Sequence, residues 1–93
     1  MEQILIRMDS GQANALIGAN LRGLRGKRGY SREKLFELSG VPIITIRRIE
    51  GGTRAAPADV LIQLCNALGV NVGDFLDDVQ AELKQITRAN AGE

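Results

Sequence analysis

The sequence predicts an all-α domain built from five helices. Two patterns carry that expectation. Apolar residues recur three and four positions apart along most of the chain, and glycines or prolines fall where each such stretch begins or ends. The one segment that reads as a strand is residues 2–8, where Ile4, Ile6 and Met8 would share a face. A lone strand is not stable in isolation. It must pair, for instance with the same strand of a second subunit, or stay disordered.

The first helix is expected over about residues 12–27, after the turn or helix-entry signal Asp9-Ser10-Gly11. Ile17, Leu21 and Leu24 make its stripe, while Gly18, Gly23 and Gly26 weaken it by roughly 1 kcal/mol each relative to alanine. Gly29 suits a left-handed C-terminal cap. Ser31 is a good N-cap for the second helix, and Glu33 lies in its first turn, where the helix dipole favours an acid. Leu35, Phe36 and Leu38 give its buried side and Gly40 ends it. Pro42 starts the third helix from its first turn, where a missing N–H costs nothing. Ile46 and Ile49 form the inward pair of helix 42–50, and Gly51-Gly52 stops it. Pro57 opens the fourth helix, with Leu61, Leu64, Cys65 and Leu68 as its stripe and Gly69 as its close. Asn71 caps the fifth, Asp74 lies on its positive end, and Phe75 continues the apolar pattern. Leu76, Val79, Leu83 and Ile86 are spaced 3, 4, 3, the seam of two packed helices. Residues 90–93 read as a frayed tail.

At 93 residues the chain has room for one domain with short ends. No apolar run approaches the ~18–20 residues that cross a bilayer, and no secretory signal pattern is seen at the N-terminus, so neither a membrane partner nor export is expected. Cys65 is the single cysteine, and histidine is absent. No internal disulfide is possible, which fits a reducing cytoplasm. Without histidine the usual general base and the commonest metal ligand are missing. No nucleophile–base pair or ligand cluster stands out, so no enzyme, cofactor or metal is expected; Asp77-Asp78 lacks further oxygen ligands and reads as a solvated face.

The net charge of +1 conceals a strong asymmetry. Residues 1–21, 22–54 and 55–93 carry −1, +6 and −4. A basic middle suggests a polyanion held there, against the plainer reading of a solvated face.

That middle contains the informative segment, residues 31–50. A short helix, a turn pivoting on Gly40 and a second short helix match helix-turn-helix geometry. Leu35, Val41, Ile46 and Ile49 sit where the two helices cross. Leu21-Arg22-x-Leu24-Arg25, Gly29-Tyr30-Ser31, Leu35, Ser39-Gly40-Val41, Ile46-x-Arg48-Ile49-Glu50-x-Gly52 and Ala67-Leu68-Gly69-Val70 follow in order. With these pieces, residues 17–76 resemble the DNA-binding helix-turn-helix domain of lambda-type phage repressors, Cro proteins and their bacterial relatives.

The resemblance implies a five-helix lambda-repressor-like domain over residues 10–76. Residues 1–9 would form an N-terminal arm or strand, and residues 77–93 a C-terminal helix extension and tail. It implies that the second motif helix enters the major groove of double-stranded DNA, with Ile43, Ile44, Thr45 and Arg48 at positions that touch base edges. Arg32, Thr53 and Arg54 match positions that hold phosphate, and Arg25 and Glu50 match an internal ion pair. Arg47 is added on physical grounds, since it flanks Arg48 and reaches a phosphate or a guanine edge.

The chain departs from the family at several positions. Ile43 and Ile44 replace polar readers; such side chains contact thymine methyls but form no paired hydrogen bonds with a base. They are read as base contacts, with core or a protein-binding patch as the alternative. Phe36 stands where the family has alanine, which implies a wider helix crossing or an outward ring. Pro42 replaces the usual Ser or Thr cap.

The function implied is a dimeric, cytoplasmic, repressor-like transcriptional regulator. The rival is a protein-interaction module on the same fold, such as an antitoxin or anti-repressor. For the homodimer, the family's core ends near Leu76, so the seam Leu76, Val79, Leu83 and Ile86 extends beyond what the core needs to cover. It is preferred over pairing of residues 4–8 because two paired strands this short bury little area. The plainer reading of that seam is that the last helix folds back on the first helix of its own chain.

Overall fold

The computed structural model describes residues 9–91, with side chains through residue 89, so the proposed strand at residues 2–8 lies outside the described residues. Five helices follow in order: α1 Ser10–Arg28, α2 Arg32–Ser39, α3 Ile43–Glu50, α4 Ala58–Ala67 and α5 Val72–Ala91. No strand occurs among the described residues. No helix there is long and apolar enough to cross a membrane.

The ends follow from local chemistry. Asp9 caps α1, its Oδ1 accepting from the Gly11 N–H at 2.8 Å. Ser31 Oγ accepts from the Lys34 N–H at 3.0 Å, and Asn71 Oδ1 from the Asp74 N–H at 3.0 Å. Gly29 and Gly40 end α1 and α2 with φ of 70° and 78°, a conformation that costs any residue with a Cβ. Pro42 and Pro57 lie one position earlier than expected. Both are N-caps in extended conformation, ψ 144° and 154°, whose carbonyls accept the first helical bonds from Ile46 and Leu61. A proline side chain offers no acceptor, so neither helix has a side-chain cap.

One core joins all five helices: Leu21 from α1, Leu35 from α2, Val41 from the turn, Ile46 and Ile49 from α3, Leu61, Leu64 and Cys65 from α4, Leu68 just after it, and Phe75 and Val79 from α5. α1 packs against both α3 and α5, and α2 against α3 and α4. The crossing of α1 with α3 is close enough that Gly18 is buried against the carbonyls of Ile49 and Glu50.

Two sequence expectations need correction. Of the three residues assigned to the buried side of α2, only Leu35 is buried; Phe36 is 43% and Leu38 47% exposed. Each residue turns the helix by about 100°, so Phe36 and Leu38 fall on the two flanks of Leu35. The Phe36 ring therefore points outward. The second concerns the α5 seam. Val79 is buried in the core, Leu83 and Ile86 are half-buried, and only Leu76, at 40%, is well exposed. α5 lies along α1 of its own chain, tied there by the Asn20 amide donating to Glu82 Oε1 at 3.1 Å.

Candidate nucleic-acid interface

The motif is built around α3, eight residues long and divided sharply into two faces. Thr45, Ile46, Ile49 and Glu50 are buried. Ile44, Arg47 and Arg48 are exposed, and Ile43 is half-buried at the edge. At about 100° per residue, positions 44, 47 and 48 share one face a turn apart. The inward half anchors the helix and the outward half is free for a partner.

Glu50 fixes that orientation. Its side chain is 3% exposed, and a carboxylate so placed would be costly to bury alone. Arg25 Nε–H donates to Oε2 at 2.7 Å and Arg25 Nη2–H to Oε1 at 3.0 Å, a two-pronged bond between α1 and the end of α3. The same guanidinium donates through Nη1 to the Tyr30 carbonyl at 2.9 Å. These bonds to Glu50 push the Arg25 pKa above its ordinary value, against desolvation, which lowers it.

Arg32 Nε–H also donates to Glu50 Oε1, at 3.1 Å. This second arginine was not readable from the sequence, where Arg32 matched only a phosphate position. Its side chain is 33% exposed, and neither Nη group has a hydrogen-bond partner among the described residues. One carboxylate thus holds two guanidiniums, and the outer one keeps donors that suit a phosphate.

The other candidates divide. Arg47, Arg48 and Arg54 are exposed, as phosphate or base contacts require. Thr45 is a correction: at 9% exposure it faces inward with Ile46, because it lies about 100° from Ile44 and on the core side. Thr53 is exposed, but its hydroxyl donates to the Arg48 carbonyl at 3.1 Å and its N–H to the same oxygen at 3.0 Å. It closes the end of α3, and its single O–H donor is occupied. Cys65 is fully buried, and burial pushes its thiol pKa up, away from reactivity. No group of three or more His, Cys, Asp or Glu side chains that could hold a metal occurs among the described residues.

The helix-turn-helix domain family matches residues 16–77. The chain belongs to that family. Three solved structures extend the likeness of this helix-turn-helix protein. The clp gene regulator ClgR from Corynebacterium glutamicum shares 28% identity over 75% of this chain and 91% of its own, with a TM-score of 0.68. A second ClgR structure shares 26% over 86% of each chain, with a TM-score of 0.73. The restriction-modification controller protein C.AhdI from Aeromonas hydrophila shares 29% over 67% of this chain and 94% of its own, with a TM-score of 0.64. No curated protein sequence gives a significant match. The helix-turn-helix protein thus has the fold of Cro and lambda-repressor-like regulators, with α2 and α3 as the motif.

Proposed function

We propose that this helix-turn-helix protein is a DNA-binding transcriptional regulator of the repressor type, acting as a cytoplasmic homodimer and catalysing no reaction. The observation that carries the reading is the outward face of α3, where Ile44, Arg47 and Arg48 stand exposed over a buried anchor. α3 enters the major groove, Arg48 reaches base edges, and Arg32, Arg47 and Arg54 take phosphates. The solved relatives, a clp gene regulator and a restriction-modification controller protein, support the same role.

A single α3 covers one half-site. Two copies related by a two-fold axis present two such helices about 34 Å apart, one turn of DNA, and roughly double the phosphate contacts. Leu76, the one well-exposed residue of the seam, stands beside a groove of about 360 Å³ between α1 and α5 that Ala13, Ile17 and Leu83 also line, which supports the Leu76 edge of α5 as the self-association surface. The exposed Phe36 and Leu38 on α2 favour a second reading, in which the fold holds a partner protein.

The test is a salt titration of binding to random-sequence duplex DNA, with the native chain and with Arg47→Ala/Arg48→Ala. The native chain loses affinity steeply with salt, and the double variant binds more weakly with a slope smaller by about 0.9 per lost phosphate contact. No binding even at low salt refutes the DNA reading and favours the protein partner.

A further inference from the structure

An isoleucine on the outward face of α3 demands a reason. Ile44 is 48% exposed, so its side chain is not spent on the core. It lies one turn before Arg47 and Arg48 and between them around the helix axis, and all three are exposed. An apolar protein surface laid over Ile44 would also take both guanidiniums out of water, a large cost without acidic partners. A DNA groove imposes no such penalty, because phosphates and guanine edges receive the arginines.

Within the major groove the choice narrows further. Isoleucine has no donor or acceptor, so it is blind to the hydrogen-bonding pattern of every base pair. The apolar feature displayed there is the C5-methyl group of thymine. A cytosine methylated at C5 carries the same group at the same place. Ile44 and Arg48 are four residues apart, about 6 Å along the helix axis, which corresponds to about two base-pair steps.

We propose that Ile44 makes this interface a reader of pyrimidine 5-methyl groups, recognising thymine or 5-methylcytosine within about two base pairs of a guanine held by Arg48. The inference rests on the DNA-binding reading and adds to it the chemical class of base that is selected. Ile44 discriminates by filling space against the methyl group. Arg48 supplies the hydrogen-bonded contact that sets the register.

The experiment selects preferred duplexes from a random pool with the full-length chain. Affinities are then measured for the selected duplex, for versions carrying deoxyuridine in place of thymidine at single positions, and for a version in which the sensitive T·A pair becomes C·G with and without a C5-methyl on the cytosine. Each is repeated with Ile44→Ala, whose melting should stay close to native because the site is exposed. Deoxyuridine at one or two positions per half-site should weaken native binding about fourfold, the equivalent of one buried methyl. Ile44→Ala should bind both versions equally, and methylation should restore part of the affinity lost on going to C·G. If every deoxyuridine is tolerated, or if Ile44→Ala keeps the full loss, the methyl reading is overturned while DNA binding stands. If no duplex is bound at low salt, both fall together.

Discussion

Gly18→Ala adds one methyl group where α1 crosses the end of α3. A Cβ built there would lie 2.8 Å from the Glu50 carbonyl oxygen and closer still to that of Ile49. Both obstacles are backbone, so no side chain can rotate away. The Ile49 carbonyl is also held by the Gly52 N–H at 3.0 Å, and moving it would break the turn that ends α3. The two helices must therefore separate by about 1 Å, an overpacking strain of about 1–3 kcal/mol or more. Alanine is intrinsically better than glycine in a helix interior by about 1 kcal/mol. With two backbone clashes the strain lies at the upper end of its range, and a net loss of about 2 kcal/mol follows. For a domain of this size each kcal/mol shifts the melting temperature by about 4–8 °C, so Gly18→Ala should melt roughly 8–16 °C below native in a circular-dichroism scan. Gly23→Ala and Gly26→Ala are the controls. Nothing lies within 4 Å of a Cβ at either position, so each should gain about 0.5–1 kcal/mol. If Gly18→Ala melts at or above the native protein while the controls rise, the close α1–α3 crossing is wrong.

Glu50→Ala leaves Arg25, 15% exposed, and Arg32 without their acceptor; it should cost about 2–3 kcal/mol in urea unfolding, below the fully buried case because both arginines touch solvent, and an unchanged midpoint would contradict the bonding described. Arg32→Ala should change stability by less than about 1 kcal/mol yet lower the salt slope of DNA binding by about 0.9, so an unchanged slope removes Arg32 from the phosphate contacts. Burial keeps the Cys65 thiol protonated to higher pH in the folded chain than in the unfolded one, whose thiol ionises near its ordinary value of 9.0, so its contribution is full below that pH and is lost as pH rises through the higher folded value; stability measured across this range should fall more steeply for the native protein than for Cys65→Ala, and parallel profiles would refute the burial. Leu76→Lys should raise the dissociation constant of a dimer at least about tenfold by sedimentation, whereas an undisturbed dimer moves the contact away from α5.

The helices were legible because stripes and end signals agree along the chain. Gly29, Gly40 and Gly69 mark helix ends by the same φ > 0 geometry that only glycine adopts cheaply. What escaped was tertiary. Phe36 and Leu38 have the hydrophobicity of core residues, but α2 has one buried flank and Leu35 fills it. The closeness demanded of Gly18 depends on the distance between two helices, which no local pattern encodes. Arg25 and Glu50 came from resemblance, yet Arg32 reached the same carboxylate unannounced, because arginine is long enough to join a partner from several backbone positions. Thr45 could not be separated from Ile44 by type, only by about 100° of helix rotation.

The way Glu50 is bonded bears on how such a protein could change its target. All the hydrogen bonds that carboxylate accepts run inward or sideways, from Arg25 on α1 and from Arg32 at the start of α2. None depends on Ile44, Arg47 or Arg48 side chains. The frame that aims α3 and the letters α3 displays are therefore separable in mutation space. Substitutions at 44, 47 and 48 alter what is recognised at little cost in stability, since surface changes rarely exceed about 0.5 kcal/mol. Duplicated copies of this chain could diverge toward different operators while folding alike, and a library randomised at those three positions should be rich in folded members.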